Sequence, residues 1–231
     1  MRRFLYMEQR TPEWFKAHCG RISGSRMGDL TAYSVQKARL GQELKARADY
    51  REELLAERLT GRMSIHFVTN EMKRGTEEED YARSVYEVEQ NAVVEQIGFA
   101  IHPLFDFAGA SPDGIRDGRR VTEFKNLTTV HHMRLYAANA KAFKADPQAD
   151  RSYLVPEDYR DQVLWTMDCC ECDEADFVSF DSRLIGGPYE HCKMVIIPVL
   201  RDDKRIAELR TESVKMNAEV EQAMKELAVN A

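Results

Sequence analysis

Along the first third of the chain, apolar side chains recur every three or four residues, the spacing of one helix face. Pro12, Glu13, Trp14, Phe15 and Lys16 predict a short helix with proline in its first turn, ending near Gly20. In the segment Arg21-Ile22-Ser23-Gly24-Ser25 that follows, Ser23 or Ser25 suits the N-cap of another helix. Leu44, Ala48, Leu55 and Leu59 predict a helix from Gly41 to about Thr60, stopped by Gly61. Between Asn70 and Gln90 the stripe Met72, Gly75, Glu79, Ala82, Tyr86 predicts a long helix, and Glu79 stands where an apolar residue is expected.

The period then changes. Val93 to Ile101 and Phe105 to Ala110 are β-compatible runs, and Asp117-Gly118 between Ile115 and Val121 signals a hairpin turn, so strands are expected within 92–126. Helical spacing returns at about 128–140 and 157–171. Phe177 to Phe180 and Met194 to Leu200 read as two further strands, the second carrying a proline. From Arg201 on, Ile206, Leu209, Met216, Val220, Met224 and Leu227 mark one long amphipathic helix. The expected fold class is α+β: a central mixed sheet of about five strands flanked by helices. All 231 residues form one unit, with an N-terminal helical part over about 1–90, a sheet and catalytic core over about 91–200, and a C-terminal helix over about 201–229.

Composition narrows the function classes. With 43% hydrophobic and 31% charged residues, the chain is neither disordered nor fibrous. No run approaches the ~20 apolar residues of a membrane span, and the N-terminal arginines precede no signal-type apolar stretch, so a cytoplasmic protein is expected. The five cysteines are an odd number and read as reduced thiols. Cys169, Cys170, Cys172 and Cys192, with the distant Cys19, lack the usual ligand spacing of an iron–sulfur cluster. The net charge is −6, yet residues 119–151 carry seven bases and three acids while 157–176 carry eight acids and one base, which allows one positive surface for a polyanion. His131, His132 and Arg134 sit in the basic stretch, either as phosphate contacts or as a solvated helix start.

The strongest chemical constellation is Ser111-Pro112-Asp113-Gly114 followed after a hairpin by Glu123-Phe124-Lys125. On a strand Glu123 and Lys125 share one face while Phe124 points to the other, into the core, and Asp113 lies across the hairpin. Two carboxylates and the backbone carbonyl between Glu123 and Lys125 are hard oxygen donors that suit Mg²⁺, and Lys125 can orient or help deprotonate a water. Hydrolysis of a phosphodiester is the chemistry this set suits. The bland alternative is a solvated hairpin. Glu79 and Gln162, both polar on inward-facing helix positions, add context because buried carboxylates are rare unless paired or metal-bound.

Taken in order, Trp14 to Ser25, Gly75-Thr-Glu-Glu-Glu79-Asp-Tyr-Ala, Ser111-Pro-Asp-Gly, Glu123-Phe-Lys125 and Tyr159-Arg-Asp-Gln162-Val resemble the lambda-type exonucleases, or YqaJ-like viral recombinases, of the PD-(D/E)XK nuclease superfamily. The resemblance spans about residues 12–180. It implies a phage or prophage recombination exonuclease that degrades one strand of linear duplex DNA from its 5′ end, uses Mg²⁺ (two ions, with Mn²⁺ able to substitute), forms a DNA-encircling homotrimer and works with a single-strand annealing protein. Position by position, Asp113, Glu123 and the Phe124 carbonyl resemble metal ligands, Lys125 the catalytic lysine, Glu79 a further carboxylate for the second metal, and Gln162 an active-site glutamine. Ser23 and Ser25 resemble hydroxyls that hold the 5′-phosphate. Where the family has an arginine four residues after the tryptophan, this chain has His18. Two readings follow: His18 binds the 5′-phosphate, or it packs near Trp14 and Arg21 or Arg26 supplies the cation. An endonuclease of the same superfamily and a non-catalytic recombination partner are the alternative functions.

Overall fold

A computed structural model describes residues 2–63 and 70–229, with 70–77 described as helix backbone only. The elements are β1 (Arg3–Leu5), α1 (Pro12–His18), β2 (Ile22–Ser23), α2 (Met27–Leu30), α3 (Lys45–Thr60), α4 (Asn70–Gln90), β3 (Val94–Glu95), β4 (Phe99–Ile101), β5 (Ala108–Ala110), β6 (Gly114–Arg116), β7 (Arg120–Lys125), α5 (Thr129–Ala145), α6 (Glu157–Cys169), β8 (Glu174–Phe180), β9 (Met194–Leu200) and α7 (Asp203–Val229). The expected helices are present, although Arg26 flanks α2 and neither Ser23 nor Ser25 caps it. Thr11 caps α1 by accepting from the Trp14 amide, and Gly61 stops α3 in the left-handed region at φ 65°. α3 begins at Lys45 rather than Gly41, because Glu43 bridges to Tyr33 and Leu44 becomes the cap.

A five-stranded mixed sheet runs in the order β3-β6-β7-β8-β9. The β6–β7 hairpin turns through Asp117, Gly118 and Arg119 between the paired Arg116 and Arg120, with positive φ at Asp117 and Gly118. β7 and β8 pair in parallel, so the chain must cross over between them, and α5 and α6 make that crossover. Pro198 is tolerated because β9 is an edge strand. A second sheet, β1-β4-β5-β2, was not expected, and it makes the N-terminal part more than helical. Its strands are two or three residues long, too short to show a period. The run Val93 to Ile101 is accordingly split, β3 joining the first sheet and β4 the second.

The five-stranded sheet buries both faces. Ile115, Val121, Phe177 and Ile197 pack with Trp165 and Met167 of α6 and Leu209 and Met216 of α7, while Phe124, Val178 and Phe180 pack with Ala82 and Tyr86 of α4. Strand alternation thus assigns Glu123 and Lys125 to the α6 side and Phe124 to the α4 side. The C-terminal stripe is buried through Val220, but Leu227 is exposed. All five cysteines are free, and Cys169, Cys170, Cys172 and Cys192 are buried. Among the described residues no helix is long and apolar enough to cross a membrane.

Candidate active site

Asp113 immediately precedes β6, and Gly114 lets the strands close around it: a Cβ there would stand 2.1 Å from Val94 Cγ1. Asp113 Oδ2 accepts from the Phe124 amide at 2.7 Å, which locks its carboxylate across the hairpin against β7. Glu123 is fully buried. Its Oε1 accepts from Lys125 Nζ at 2.6 Å and from Gln162 Nε2 of α6, while its Oε2 has no hydrogen-bond partner. Lys125 Nζ also lies 5.3 Å from the centre of the Tyr159 ring, one helical turn before Gln162. Glu79 approaches from α4 and lines with Asp113 a cavity of about 530 Å³. The residues marked by sequence, Glu79, Asp113, Glu123, Lys125 and Gln162, therefore converge.

Crowding perturbs their proton affinities. Burial, then Asp113, pushes Glu79 up to about 7, and burial, then Asp113, does the same to Glu123. Burial raises Asp113 as well, against the pull of Lys125. For Lys125 burial works in the opposite sense, but Glu123 and Asp113 outweigh it and raise its pKa. Lys125 is therefore an ammonium that orients and stabilises negative charge.

The donor set fits a hard divalent cation. A buried carboxylate oxygen without a partner is costly unless something electropositive meets it, and Glu123 Oε2 is such an atom. Among the described residues no group of three or more His, Cys, Asp and Glu side chains is placed to hold a metal ion by itself. A cation held by Asp113, Glu123, the Phe124 carbonyl and, for a second ion, Glu79 would complete its shell with water and substrate oxygens, as Mg²⁺ commonly does.

The proposed 5′-phosphate group divides. A Cβ at Gly24 would meet Thr166 Oγ1 at 3.2 Å and the Gln162 carbonyl at 3.6 Å, so the turn of Ser23 and Ser25 lies directly on α6 beside the site. The two hydroxyl oxygens are 3.4 Å apart. His18 packs against Trp14 and Phe99, with ring centroids 4.8 and 5.5 Å away. Burial, then Arg21, lowers its pKa to about 4, so it is uncharged at neutral pH and the packing reading holds in the structure. Arg21 donates to the Asp106 and Ala17 carbonyls, and Arg26 pairs with Asp29 and Glu53 over the Tyr50 ring. None of these three candidate cations is held apart from the protein's own groups. His132 is likewise buried between Ser179 Oγ and the Cys192 carbonyl and contacts no solvent, whereas His131 and Arg134 lie on the exposed side of α5.

Sequence reasoning missed the opposite wall. Trp14 Nε1 donates to the Gly98 carbonyl and to Ser111 Oγ, which docks α1 beside the Ser111-Pro112-Asp113 segment. Gln9, Arg10, Arg83 and Gln96 reach the same cavity. No periodic signal marks Gln9 and Arg10, and Arg83 reads as an ordinary helix-surface charge.

The sheet hairpin, paired acids, lysine and supporting glutamine define a nuclease core of the PD-(D/E)XK kind. The chain belongs to the YqaJ-like viral recombinase domain family, which it matches over residues 13–173. It is similar in structure to an alkaline exonuclease (LHK-Exo) from Laribacter hongkongensis, at 30% identity and TM-score 0.74 over 96% of this chain and 100% of that one. The same enzyme in complex with dAMP matches at TM-score 0.73, with the same identity and coverage. A phage related exonuclease from Haemophilus somnus 129PT shares the fold, at TM-score 0.64 and 16% identity over 90% of this chain and 96% of that one. Comparison with curated proteins gave no match.

Proposed function

We propose that this protein is a magnesium-dependent exonuclease of phage-type recombination that removes nucleotides from the 5′-ended strand of linear duplex DNA. The observation that carries the reading is Glu123: buried, one oxygen held by Lys125 and Gln162 and the other without a partner, across a hairpin from Asp113. The 30% identity with an alkaline exonuclease over nearly the whole chain supports it. Bound magnesium lowers the pKa of a water and offsets charge on the phosphoryl group. Lys125, kept protonated by its two acidic neighbours, orients that water and stabilises the negative charge that builds on the phosphate. Gln162 and Lys125 together hold the Glu123 carboxylate in one orientation. The water oxygen bonds to phosphorus, the bond from phosphorus to the departing 3′-oxygen breaks, and that oxygen takes up a proton. The expected assembly is a homotrimer around the DNA, acting with a single-strand annealing protein in the cytoplasm of a bacterial host. Arg120 of the basic segment is paired to Glu174 and Asp176, which leaves Arg119 at the hairpin and Arg134, Lys141 and Lys144 on α5 as its exposed cations.

Incubating the full chain with end-labelled linear duplex and with closed circular DNA, with and without Mg²⁺, tests the reading. Progressive loss of the 5′-ended strand and an intact circle are expected, only with the metal present. Nicking of the circle favours the endonuclease, and no turnover on either DNA favours a non-catalytic partner. Light scattering should give about three times the 26.6 kDa chain mass.

A further inference from the structure

Among the described residues, four other than glycine have left-handed backbone: Arg10 (φ 66°), Asn91 (44°), Asp117 (51°) and Glu171 (50°). Asn and Asp tolerate that region, and Glu171 closes α6, where a left-handed residue is an ordinary helix end. Arg10 has neither excuse; its conformation is one that favours glycine. Gln9 holds it there, with Nε2 donating to the Ile97 carbonyl at 3.3 Å and to the Pro112 carbonyl at 2.9 Å, one residue before Asp113. The turn thus sets Arg10 on the wall of the cavity that Glu79 and Asp113 line.

The other guanidinium group of this cavity is spent at close range. Arg83, in the same cavity, is bonded to Asp80 and, with the Gln96 amide turned to satisfy it, to the Gln96 oxygen at 2.8 and 3.0 Å. Arg10 has, among the described residues, one loose ion pair: Nη2 to Glu79 Oε2 at 3.7 Å, with 52% of the side chain exposed. A cation held in strained backbone, facing acidic groups it does not closely engage, suits an anionic oxygen lying between them.

We infer that Arg10 binds a non-bridging oxygen of the phosphodiester being cut, across the cavity from Asp113 and Glu79. The inference rests on the nuclease reading above and adds a residue to it. The planar guanidinium meets phosphate oxygens at two points, which positions the phosphorus and offsets the charge that its equatorial oxygens gain during displacement.

The test is a double-mutant cycle between the side chain and the linkage. Two duplexes are compared, one natural and one whose first internucleotide linkage in the 5′-ended strand is an uncharged methylphosphonate; binding to the full chain is measured in calcium, which slows the chemistry. The ratio of the two affinities is expected to be at least about tenfold smaller in R10G than in wild type, the size of one charge-assisted hydrogen bond. R10K should fall between, because it keeps the charge without the fork. Glycine suits a φ of 66°, so R10G should melt no lower than wild type; should it melt lower, R10Q replaces it in the cycle. Equal ratios in wild type and variant overturn the inference. Turnover of natural duplex by the wild type is read in parallel: turnover with equal ratios removes Arg10 and leaves the exonuclease reading standing, whereas neither turnover nor binding removes both.

Discussion

Replacing Glu123 by glutamine should stabilise the protein when no divalent ion is present. The wild-type carboxyl is fully buried, and its pKa rises from an ordinary 4.5 to about 7 through burial and then the repulsion of Asp113. Because the folded-state value is raised, the associated stability is complete below about pH 4.5 and is lost as pH rises through about 7. That displacement bounds the gain at about 3 kcal/mol, or about 6–12 °C in melting temperature for a chain of this size, less what the Lys125 ammonium loses with the Glu123 charge beside it. The amide copies the protonated acid: its oxygen can accept from Lys125 and Gln162, and its NH₂ takes the place of Oε2, which has no partner to lose. Thermal unfolding of both proteins in chelator, from pH 4 to 8.5, should give coincident curves at the acid end and a more stable E123Q at the alkaline end. Added magnesium should then raise the melting temperature of the wild type and leave the inactive variant nearly unchanged. A variant less stable than wild type at pH 8 in chelator, or a difference that does not vary with pH, refutes the account of a strained, cation-seeking carboxylate.

Other outcomes test other parts of the structure. Asp113→Asn keeps an oxygen for the Phe124 amide but loses the charge, so DNA cleavage should fall by about 10²-fold or more while DNA binding in calcium persists. His18, with a pKa of about 4, should impart no pH dependence to the preference for 5′-phosphate over 5′-hydroxyl ends; the ratio of initial rates on the two ends should be equal at pH 7.5 and pH 9, where the terminal phosphate itself stays dianionic. Asp168 is buried beneath His102, Arg201 and Arg210, which hold its carboxyl far below the usual range, so Asp168→Asn should cost about 3–5 kcal/mol in urea unfolding at pH 7. Its loss should shrink as the pH falls into the range where the unfolded carboxyl is protonated.

By itself the sequence determined the elements with long periods and the chemistry confined to one hairpin. The stripes on α4, α6 and α7 are legible because a helix repeats its face every few residues, and Glu79 is conspicuous because it interrupts such a stripe. Asp113, Glu123 and Lys125 could be placed relative to one another because strand alternation and an Asp-Gly hairpin signal are local rules. Only the tertiary structure decided what meets that hairpin. The second sheet consists of strands of two or three residues that exist because β4 and β5 offer edges to pair with, and such pairing is non-local. Whether His18 is a cation depended on the packing of Trp14 and Phe99 around it, since desolvation acts through neighbours distant in the chain. Arg10 entered the site through a single turn pinned by Gln9 to Pro112, 103 residues further along the chain. A contact of that separation leaves no period and no motif in the sequence, because its physical cause is the docking of two segments rather than the propensity of either.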